Sequence, residues 1–523
     1  MRDNKHMAEI HDVGQQVDTL QDLFASENLL SCEIIEKVQA IDGYFNKSMP
    51  YENDLDFATV YYYTRANYLT VLLELSNKHF GEMQKVTESL SDYSSFEDVY
   101  HELIVKRMSF MRDAVSCFAK NENSLLSKQW MAQVHTNLAN LYMETGRILE
   151  SIEELEKVKF DIGMAMGNYA AKLFKLSECT LDQSEQKETL CKALTHYKLV
   201  VEKGKDDASI YAGAYDNFCA SEDFIQRLLK DKYDEISIYT DIPDDYFKET
   251  DLDTTAYRKW CRENRLALSF RNIVEKNSNT DEIHLPNLGI SYFGKDDSLS
   301  YYSWFNTVKQ EYNMARYALY KTENSNSNFD APHISQRDIL LINTLDYPAV
   351  GYRTELLKLA LKGAYGVLDK IGILCSDFMG LPKENASRIS FTSWFRDVEK
   401  AVALHSEFSS LYWLARDLDY KKGSYKIFRK LRNVVEHRFL RVLDNALDSI
   451  DVELEDDNKL EYKISYCDLY EQTWKVIRLV RYAIIYLVFS FNACYKSAMI
   501  DCEKGKKMFM PLGLDIYEDE WKN

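Results

Sequence analysis

Apolar positions along most of this chain recur every three or four residues, which is the spacing of an amphipathic helix. From about Leu20 to Leu229, such patterns follow one another with short polar breaks between them. Another helix is predicted from Thr354 and Glu355 onwards, and its apolar positions form one stripe. That stripe consists of Leu357, Leu361, Ala364, Leu368 and Ile371. Only 18 Gly and 7 Pro interrupt 523 residues, so the pattern predicts an all-α protein.

Three more helices are predicted in the C-terminal third, over Trp394 to Leu418, Phe428 to Leu447 and Tyr470 to Lys496. Four long helices with short connections suit an up-down bundle, with the acidic stretch Asp451 to Asp457 as a solvated loop. The longest apolar stretch, Tyr482 to Tyr495, has about 14 residues, whereas a helix that crosses a bilayer needs about 20. We therefore predict a buried core helix there and no association with a membrane.

The clearest repeated unit lies in the N-terminal half. Asn137 to Tyr142 supplies small and apolar residues for one helix, Gly146 turns the chain, and a second helix follows from Ser151 to Leu155. This unit resembles a tetratricopeptide (TPR) repeat, a helix pair that recurs about every 34 residues. A TPR-like array would present a concave surface to a protein or peptide trigger, and the alternative is an irregular helical domain. Weaker echoes of the unit lie at Ala66–Leu69, Arg112–Val115 and Ala193–Tyr197.

The middle of the chain differs in composition from both ends. Tyr257 to Arg265 is dense in aromatic and arginine residues, which favours a helix that packs Trp260 into a core. The alternative is a nucleophilic Cys261, although no histidine lies near it in sequence. Between Lys321 and Gln336 the chain becomes rich in Ser and Asn, as in an exposed loop. We therefore predict TPR-like repeats at 1–235, a connecting segment at 236–336 and a helix bundle at 337–523.

The formal net charge of -19 argues against a general coat for nucleic acid but is compatible with a local basic cleft. Ten Cys without a CxxC pair, and a start without an apolar segment, predict a protein of the reducing cytoplasm. No zinc spacing and no glycine-rich phosphate loop is visible in the sequence, so we expect neither a metal nor a cofactor. We interpret three scattered histidines as structural, namely His135, His196 and His405.

The strongest candidate for chemistry is the stretch from Arg432 to His437, which reads Arg-Asn-Val-Val-Glu-His. An imidazole can transfer a proton near neutral pH, and a guanidinium can hold a phosphate or its transition state. The combination predicts chemistry on a phosphodiester without a metal ion. The alternative is a solvated helix face that carries these charges by coincidence. The preceding basic run, which contrasts with the acidic chain, contains Lys421, Lys422, Lys426, Arg429 and Lys430.

Within a late bundle helix, Arg432, Asn433 and His437 resemble the Arg-polar-x3-His signature of the HEPN superfamily, including the favoured Asn after the Arg. The stretch Glu355 to Ile371, especially Leu368 to Ile371, is similar to a bundle helix of a bacterial HEPN family with TPR-like repeats upstream. The resemblance implies TPR-like helical repeats followed by a C-terminal HEPN-like up-down helix bundle.

A shorter segment of the middle region also resembles that family. Asn264 to Leu266 is similar to a stretch between its repeats and its bundle. The continuation Ala267 to Phe270 departs from the pattern, because we would expect more Asn and Pro there. The departure concerns the middle segment and does not affect Arg432 or His437.

Many HEPN proteins are metal-independent RNases, so the resemblance implies RNA cleavage, with tRNA as one candidate substrate. His437 would take the proton of a ribose 2′-hydroxyl, which attacks the adjacent phosphorus and leaves a 2′,3′-cyclic phosphate and a 5′-hydroxyl end. Arg432 would neutralise charge on the non-bridging oxygens, and Asn433 would orient the phosphate or the imidazole. Weaker candidates for contacts with the RNA backbone are Lys426, Arg429, Lys430, Arg438 and Arg441.

On an ideal helix, the separation between Arg432 and His437 turns their side chains about 140° apart, which would not focus both on one phosphate. HEPN domains commonly pair with two motifs facing each other, so the resemblance implies a homodimer through the bundle. Because RNA cleavage harms the host, we expect the repeats to regulate the site, as in a toxin or an anti-phage defence effector. The alternatives are a non-catalytic interaction or nucleotide-binding protein, and an RNase that stays dormant until a partner binds the repeats.

Overall fold

The computed structural model describes residues 2–27, 30–50, 54–121, 123–237, 252–274, 280–286, 298–324, 333–342, 344–345, 347–381, 389–394, 406–419, 423, 425–444 and 460–503. Helices dominate these segments, which confirms the predicted all-α class. The chain forms two compact units. The first comprises Met1–Phe174, Leu190–Asp231 and Lys421–Ser424, and the second comprises Lys175–Thr189, Lys232–Tyr420 and Tyr425–Asn523.

Four helices of the first unit begin where the sequence offers a capping side chain. Ser31, Asp54, Ser95 and Ser127 each accept a hydrogen bond from the backbone N–H three residues later, which satisfies an otherwise unpaired donor at the helix start. The unit contains α1 (Arg2–Glu27), α2 (Cys32–Lys47), α3 (Leu55–Val86), α4 (Phe96–Lys120), α5 (Lys128–Glu144), α6 (Ile148–Val158) and most of α7 (Gly163–Ser177), α8 (Gln183–Lys203) and α9 (Ala212–Tyr233).

The helix pair predicted around Gly146 is present as α5 and α6. Gly146 adopts a φ of 73°, a conformation that glycine adopts without steric cost, and the Arg147 N–H then reaches the Tyr142 carbonyl at 2.8 Å. The hydroxyl of Ser151 donates to the Ala139 carbonyl at 2.7 Å and ties the second helix to the first. The helical hairpin is thus established, and its assignment as a TPR repeat stays a prediction.

The second unit is organised around α12 (Ser298–Asn324), α13 (Tyr352–Phe378) and α16 (Tyr466–Glu503). Every residue of the predicted apolar stripe on α13 is fully buried, which confirms the helical periodicity of that stretch. Lys370 on α13 donates to Glu311 on α12 at 2.7 Å, and Arg316 on α12 binds Asp281. The other elements of this unit are α10 (Leu252–Glu263), α11 (Arg271–Val274), α14 (Ser409–Asp417), α15 (Lys426–His437), β1 (Phe439–Leu443) and β2 (Glu461–Ser465).

Helix α16 is long and apolar enough to cross a bilayer, but 89% of its most apolar window is buried inside the protein. Ile484, Ile485 and Leu487 have no exposed surface. The Asn492 side chain donates to the Cys179 carbonyl at 2.9 Å within the same unit. The predicted buried helix over Tyr482 to Tyr495 is therefore a core helix of the second unit.

The predicted helix over Phe428 to Leu447 is wrong from Arg438 to Asp444, and residues 445–447 lie outside the described residues. At Arg438 the backbone becomes extended, and β1 pairs in parallel with β2, from Phe439 opposite Glu461 to Leu443 opposite Ser465. A short apolar run is compatible with a strand as well as with a helix. Here the run forms a strand, because the buried side chains of β2 favour pairing between the two segments. Of the predicted helix Trp394 to Leu418, α14 covers the later part, and residues 395–405, like the acidic stretch 451–457, lie outside the described residues.

The middle segment is part of the folded second unit. Trp260 on α10 donates to Glu323 on α12 at 2.7 Å, as expected for a helix that packs its tryptophan. Cys261 is buried, and burial raises the pKa of its thiol to about 11, which does not suit a nucleophile. The Leu266 carbonyl accepts hydrogen bonds from Tyr312 and Arg316, so the stretch after α10 is fixed to α12.

Candidate active site

The motif helix α15 buries one face and presents the other. Phe428, Leu431 and Val434 are buried, at the spacing of a single helix face. The same turns place the Arg432 side chain at the boundary with solvent, where it is 27% exposed, and His437 at the helix end, where it is 67% exposed. The two residues predicted to carry the chemistry are therefore both accessible.

Arg432 is held by side chains from two helices. Its Nη2 atom lies 2.9 Å from Asp369 Oδ2 on α13, and its Nε atom lies 3.2 Å from Glu436 Oε2 on α15. Its Nη1 atom donates to Asn433 Oδ1 at 3.0 Å, and the guanidinium carbon lies 5.6 Å from the ring centre of Tyr365. A planar guanidinium with fixed partners on several sides has one orientation. Asn433 therefore contacts the arginine in this structure.

Asp369 is anchored from the opposite side. The backbone N–H of Phe391 donates to its Oδ1 atom at 3.1 Å. Phe391 can come so close because Gly372 has no side chain: a Cβ there would lie 2.9 Å from the Phe391 Cα. Burial raises the pKa of the Asp369 carboxyl, while the Phe391 N–H and the neighbouring Arg432 and Arg429 oppose that rise. The charged form of Asp369 is thus stabilised at this partly buried position by the Phe391 N–H and by the two arginines.

Glu436 connects the arginine with the histidine. The Glu436 Oε2 atom that contacts Arg432 also lies 3.9 Å from His437 Nε2. Its Oε1 atom lies 3.6 Å from Lys362 Nζ on α13. On an ideal helix the side chains of Arg432 and His437 would point in different directions. Here their ends nevertheless approach the same carboxylate, because the Arg432 side chain extends towards the C-terminal end of α15 and His437 is the last helical residue.

The basic residues predicted to contact RNA fall into separate places. Arg429 donates to the Thr392 hydroxyl at 3.3 Å, close to Asp369. Arg438 donates to the Tyr462 hydroxyl at 2.9 Å, and Arg441 pairs with Glu461 at 2.9 Å; Arg438 lies just before the start of β1 and Arg441 within it. Lys430 is half-buried on α15. The side chain of Lys426, together with Lys421, Lys422 and His405, lies outside the described parts.

A groove of about 590 Å³ runs between α13, the end of α15 and β1. Its basic lining comprises Lys358, Lys362, Arg438 and Arg441, and its acidic lining comprises Glu355 and Glu461.

Two of the remaining histidines have local partners: His135 lies 2.7 Å from Glu154, and His196 lies 2.9 Å from the Lys192 carbonyl. Of the histidines interpreted as structural, these two therefore have structural contacts.

Sequence reasoning missed the partners that α13 supplies to the motif. Lys362, Tyr365 and Asp369 follow one another at three- and four-residue spacing, beside the apolar stripe of the same helix. That spacing was the available signal, because it puts the three side chains on one face. It does not reveal which other helix the face meets, and the packing of α13 against α15 supplies that information.

Comparison with protein families identifies the C-terminal part of the chain. Residues 294–493 match the family described as LA2681-like HEPN, a range that includes α12, α13, α15 and most of α16. Comparisons with curated proteins and with solved structures found no match. The match confirms the resemblance of this part of the chain to the HEPN superfamily and includes the whole Arg432 to His437 motif. Residues 294–493 therefore form an LA2681-like HEPN domain.

Proposed function

We propose that this HEPN domain is a metal-independent endoribonuclease with Arg432 and His437 at its centre. One observation carries the proposal: both side chains reach the same carboxylate oxygen of Glu436 at the exposed end of α15. Groups that approach one anionic oxygen from two sides can also approach an oxygen of a phosphodiester. RNA is the substrate class, since its 2′-hydroxyl supplies the nucleophile.

In the proposed reaction, His437 accepts the proton of the 2′-hydroxyl while the 2′-oxygen forms a bond to phosphorus. The bond from phosphorus to the 5′-oxygen breaks, and that oxygen takes a proton from water or from the second copy of the motif. Arg432 stabilises the charge on the non-bridging oxygens, and Asn433 and Asp369 orient the guanidinium. The products carry a 2′,3′-cyclic phosphate and a 5′-hydroxyl.

The wider role is a further part of the proposal, and the similarity to HEPN proteins supports it, since HEPN domains commonly pair. The domain acts as a homodimer through its bundle in the cytoplasm, and the N-terminal helices regulate it, as suits a toxin or an anti-phage effector. Light scattering on the full chain should give twice its mass of 61.1 kDa. If the full chain is a monomer in solution and still cleaves RNA, the homodimer is wrong.

The test compares the full chain with His437→Ala and Arg432→Ala on total RNA and on tRNA, with the chemistry of the new ends determined. Each variant should lose activity by at least about 100-fold, the usual effect of removing a catalytic acid–base group. Matched controls are His284→Ala and Arg227→Ala, which remove exposed side chains of the same types. Equal cleavage by all five proteins would refute the site. Absence of cleavage by the parent, with nucleotide binding intact, would favour a non-catalytic HEPN protein.

A further inference from the structure

The carboxylate of Glu436 is surrounded by groups that also bind phosphate. Arg432 Nε lies 3.2 Å from its Oε2 atom, His437 Nε2 lies 3.9 Å from the same atom, and Lys362 Nζ lies 3.6 Å from its Oε1 atom. A guanidinium, a protonated imidazole and an ammonium are the cationic side-chain groups with which proteins hold phosphate oxygens. Here they converge on a carboxylate that the protein itself provides.

We infer that Glu436 occupies the position of the scissile phosphate in the unbound domain, and that Lys362 is a third residue that binds this phosphate. The inference rests on the proposed function and names a further contact to the substrate. Two oxygens of a carboxylate match two non-bridging oxygens of a phosphodiester in charge and in acceptor capacity. The surrounding groups can therefore exchange one for the other without changing their own positions.

The two carboxylates beside Arg432 differ in how firmly they are held. Asp369 accepts the Phe391 N–H at its far oxygen and is partly buried, so it stays when substrate enters. In the part of the chain that the structure describes, the Glu436 carboxylate contacts the side chains of Arg432, His437 and Lys362, and its own side chain is 28% exposed near the helix end. Rotation towards solvent releases Glu436 and leaves Arg432 still fixed by Asp369. Glu436 is thus the carboxylate that a phosphate displaces.

Lys362 lies both beside Glu436 and in the lining of the groove. Its side chain is 48% exposed and belongs to the lining of the groove that contains Lys358 and Arg438. A strand of RNA whose scissile phosphate lies at Arg432 can extend its neighbouring phosphates along this groove. The excess of cations over carboxylates in the lining favours a polyanion there, against the -19 charge of the whole chain.

The experiment uses the full chain and measures both binding and cleavage. Binding of a short fluorescent RNA is measured in the His437→Ala background, where cleavage does not interfere. Glu436→Gln keeps an oxygen for Arg432 but removes the charge, so RNA should bind roughly threefold more tightly, as expected for an exposed charge. Lys362→Ala should weaken binding about tenfold and raise KM, and Lys362→Arg should restore most of it.

Matched controls come from α16, where Lys475 is also 48% exposed and pairs with Glu471. Lys475→Ala and Glu471→Gln should leave RNA binding and cleavage at the parent level. The inference is overturned if Lys362→Ala behaves like Lys475→Ala, or if Glu436→Gln weakens RNA binding. A parent that binds RNA with these differences but does not cleave it overturns the proposed function alone, so the two failures are distinguishable.

Discussion

Arg432 receives contacts from Asp369, Asn433, Glu436 and Tyr365, and only two of these four residues belong to the motif that the sequence reveals. The motif could be recognised because its residues lie close together in the chain. Asp369 could not be assigned, since the sequence shows a charged residue off an apolar stripe but not the helix that it faces. At the scale of residues, the sequence therefore predicts the contacts of Arg432 within the motif. The contacts from the other helix depend on tertiary packing and could not be predicted.

The role of Asp369 leads to a prediction about catalysis. Asp369→Asn keeps an acceptor for the Phe391 N–H but removes the ion pair with Arg432. Because a misplaced catalytic group can cost about 100-fold, we expect kcat to fall by about 10- to 100-fold with little change in KM. Steady-state cleavage measures this change, and Asp369→Glu should recover part of it. An unchanged kcat would show that Arg432 needs no support from α13.

At the scale of elements, the sequence predicted α13 and α16 well and failed at the end of α15. The stripe on α13 spans several turns, so its period identifies a helix without knowledge of its neighbours. The run from Phe439 to Leu443 is too short for the spacing of its apolar residues to distinguish a strand from a helix. Its strand conformation depends on pairing with β2, whose residues lie later in the chain, with Glu461 opposite Phe439.

Close packing of Gly372 against Phe391 predicts a large effect from one methyl group. In Gly372→Ala the new Cβ would lie 2.9 Å from the Phe391 Cα, so the segment must move, and we expect a loss of about 1–3 kcal/mol in unfolding free energy. Gly366→Ala on the same helix has no atom within 4 Å of its Cβ and should gain up to about 1 kcal/mol. Chemical denaturation of both variants compares them directly, and equal stabilities would contradict the close contact.

At the scale of the whole molecule, stability should depend on pH through Glu185. Burial, with help from Asp182 and Glu282, raises the pKa of this carboxyl to about 7. The folded state therefore keeps a proton that the unfolded chain releases near its ordinary pKa. As pH rises from about 4.5 to 7, the unfolding free energy should fall by about 1.4 kcal/mol per pH unit through this group.

Glu185→Gln imitates the protonated form and should remove this part of the pH dependence. Thermal melting at pH 5 should be similar for the variant and the parent, whereas at pH 8 the variant should melt at a higher temperature. The exposed Glu471→Gln serves as the control for loss of one charge. A parallel pH dependence in parent and Glu185→Gln would mean that the carboxyl titrates in its ordinary range.

The pairing of charges around Arg432 has a kinetic consequence. Two cations, Arg432 and Lys362, lie among two carboxylates, Asp369 and Glu436, so the unbound cluster presents little net charge to its surroundings. The rest of the chain is strongly acidic. An approaching RNA therefore gains little long-range steering from this cluster, and the net charge of the chain repels it once the two are within about one Debye length, some 10 Å at moderate salt. Slow diffusional encounter, which added salt accelerates by screening, would limit how often the resting protein captures RNA, even when the cluster is ready to act.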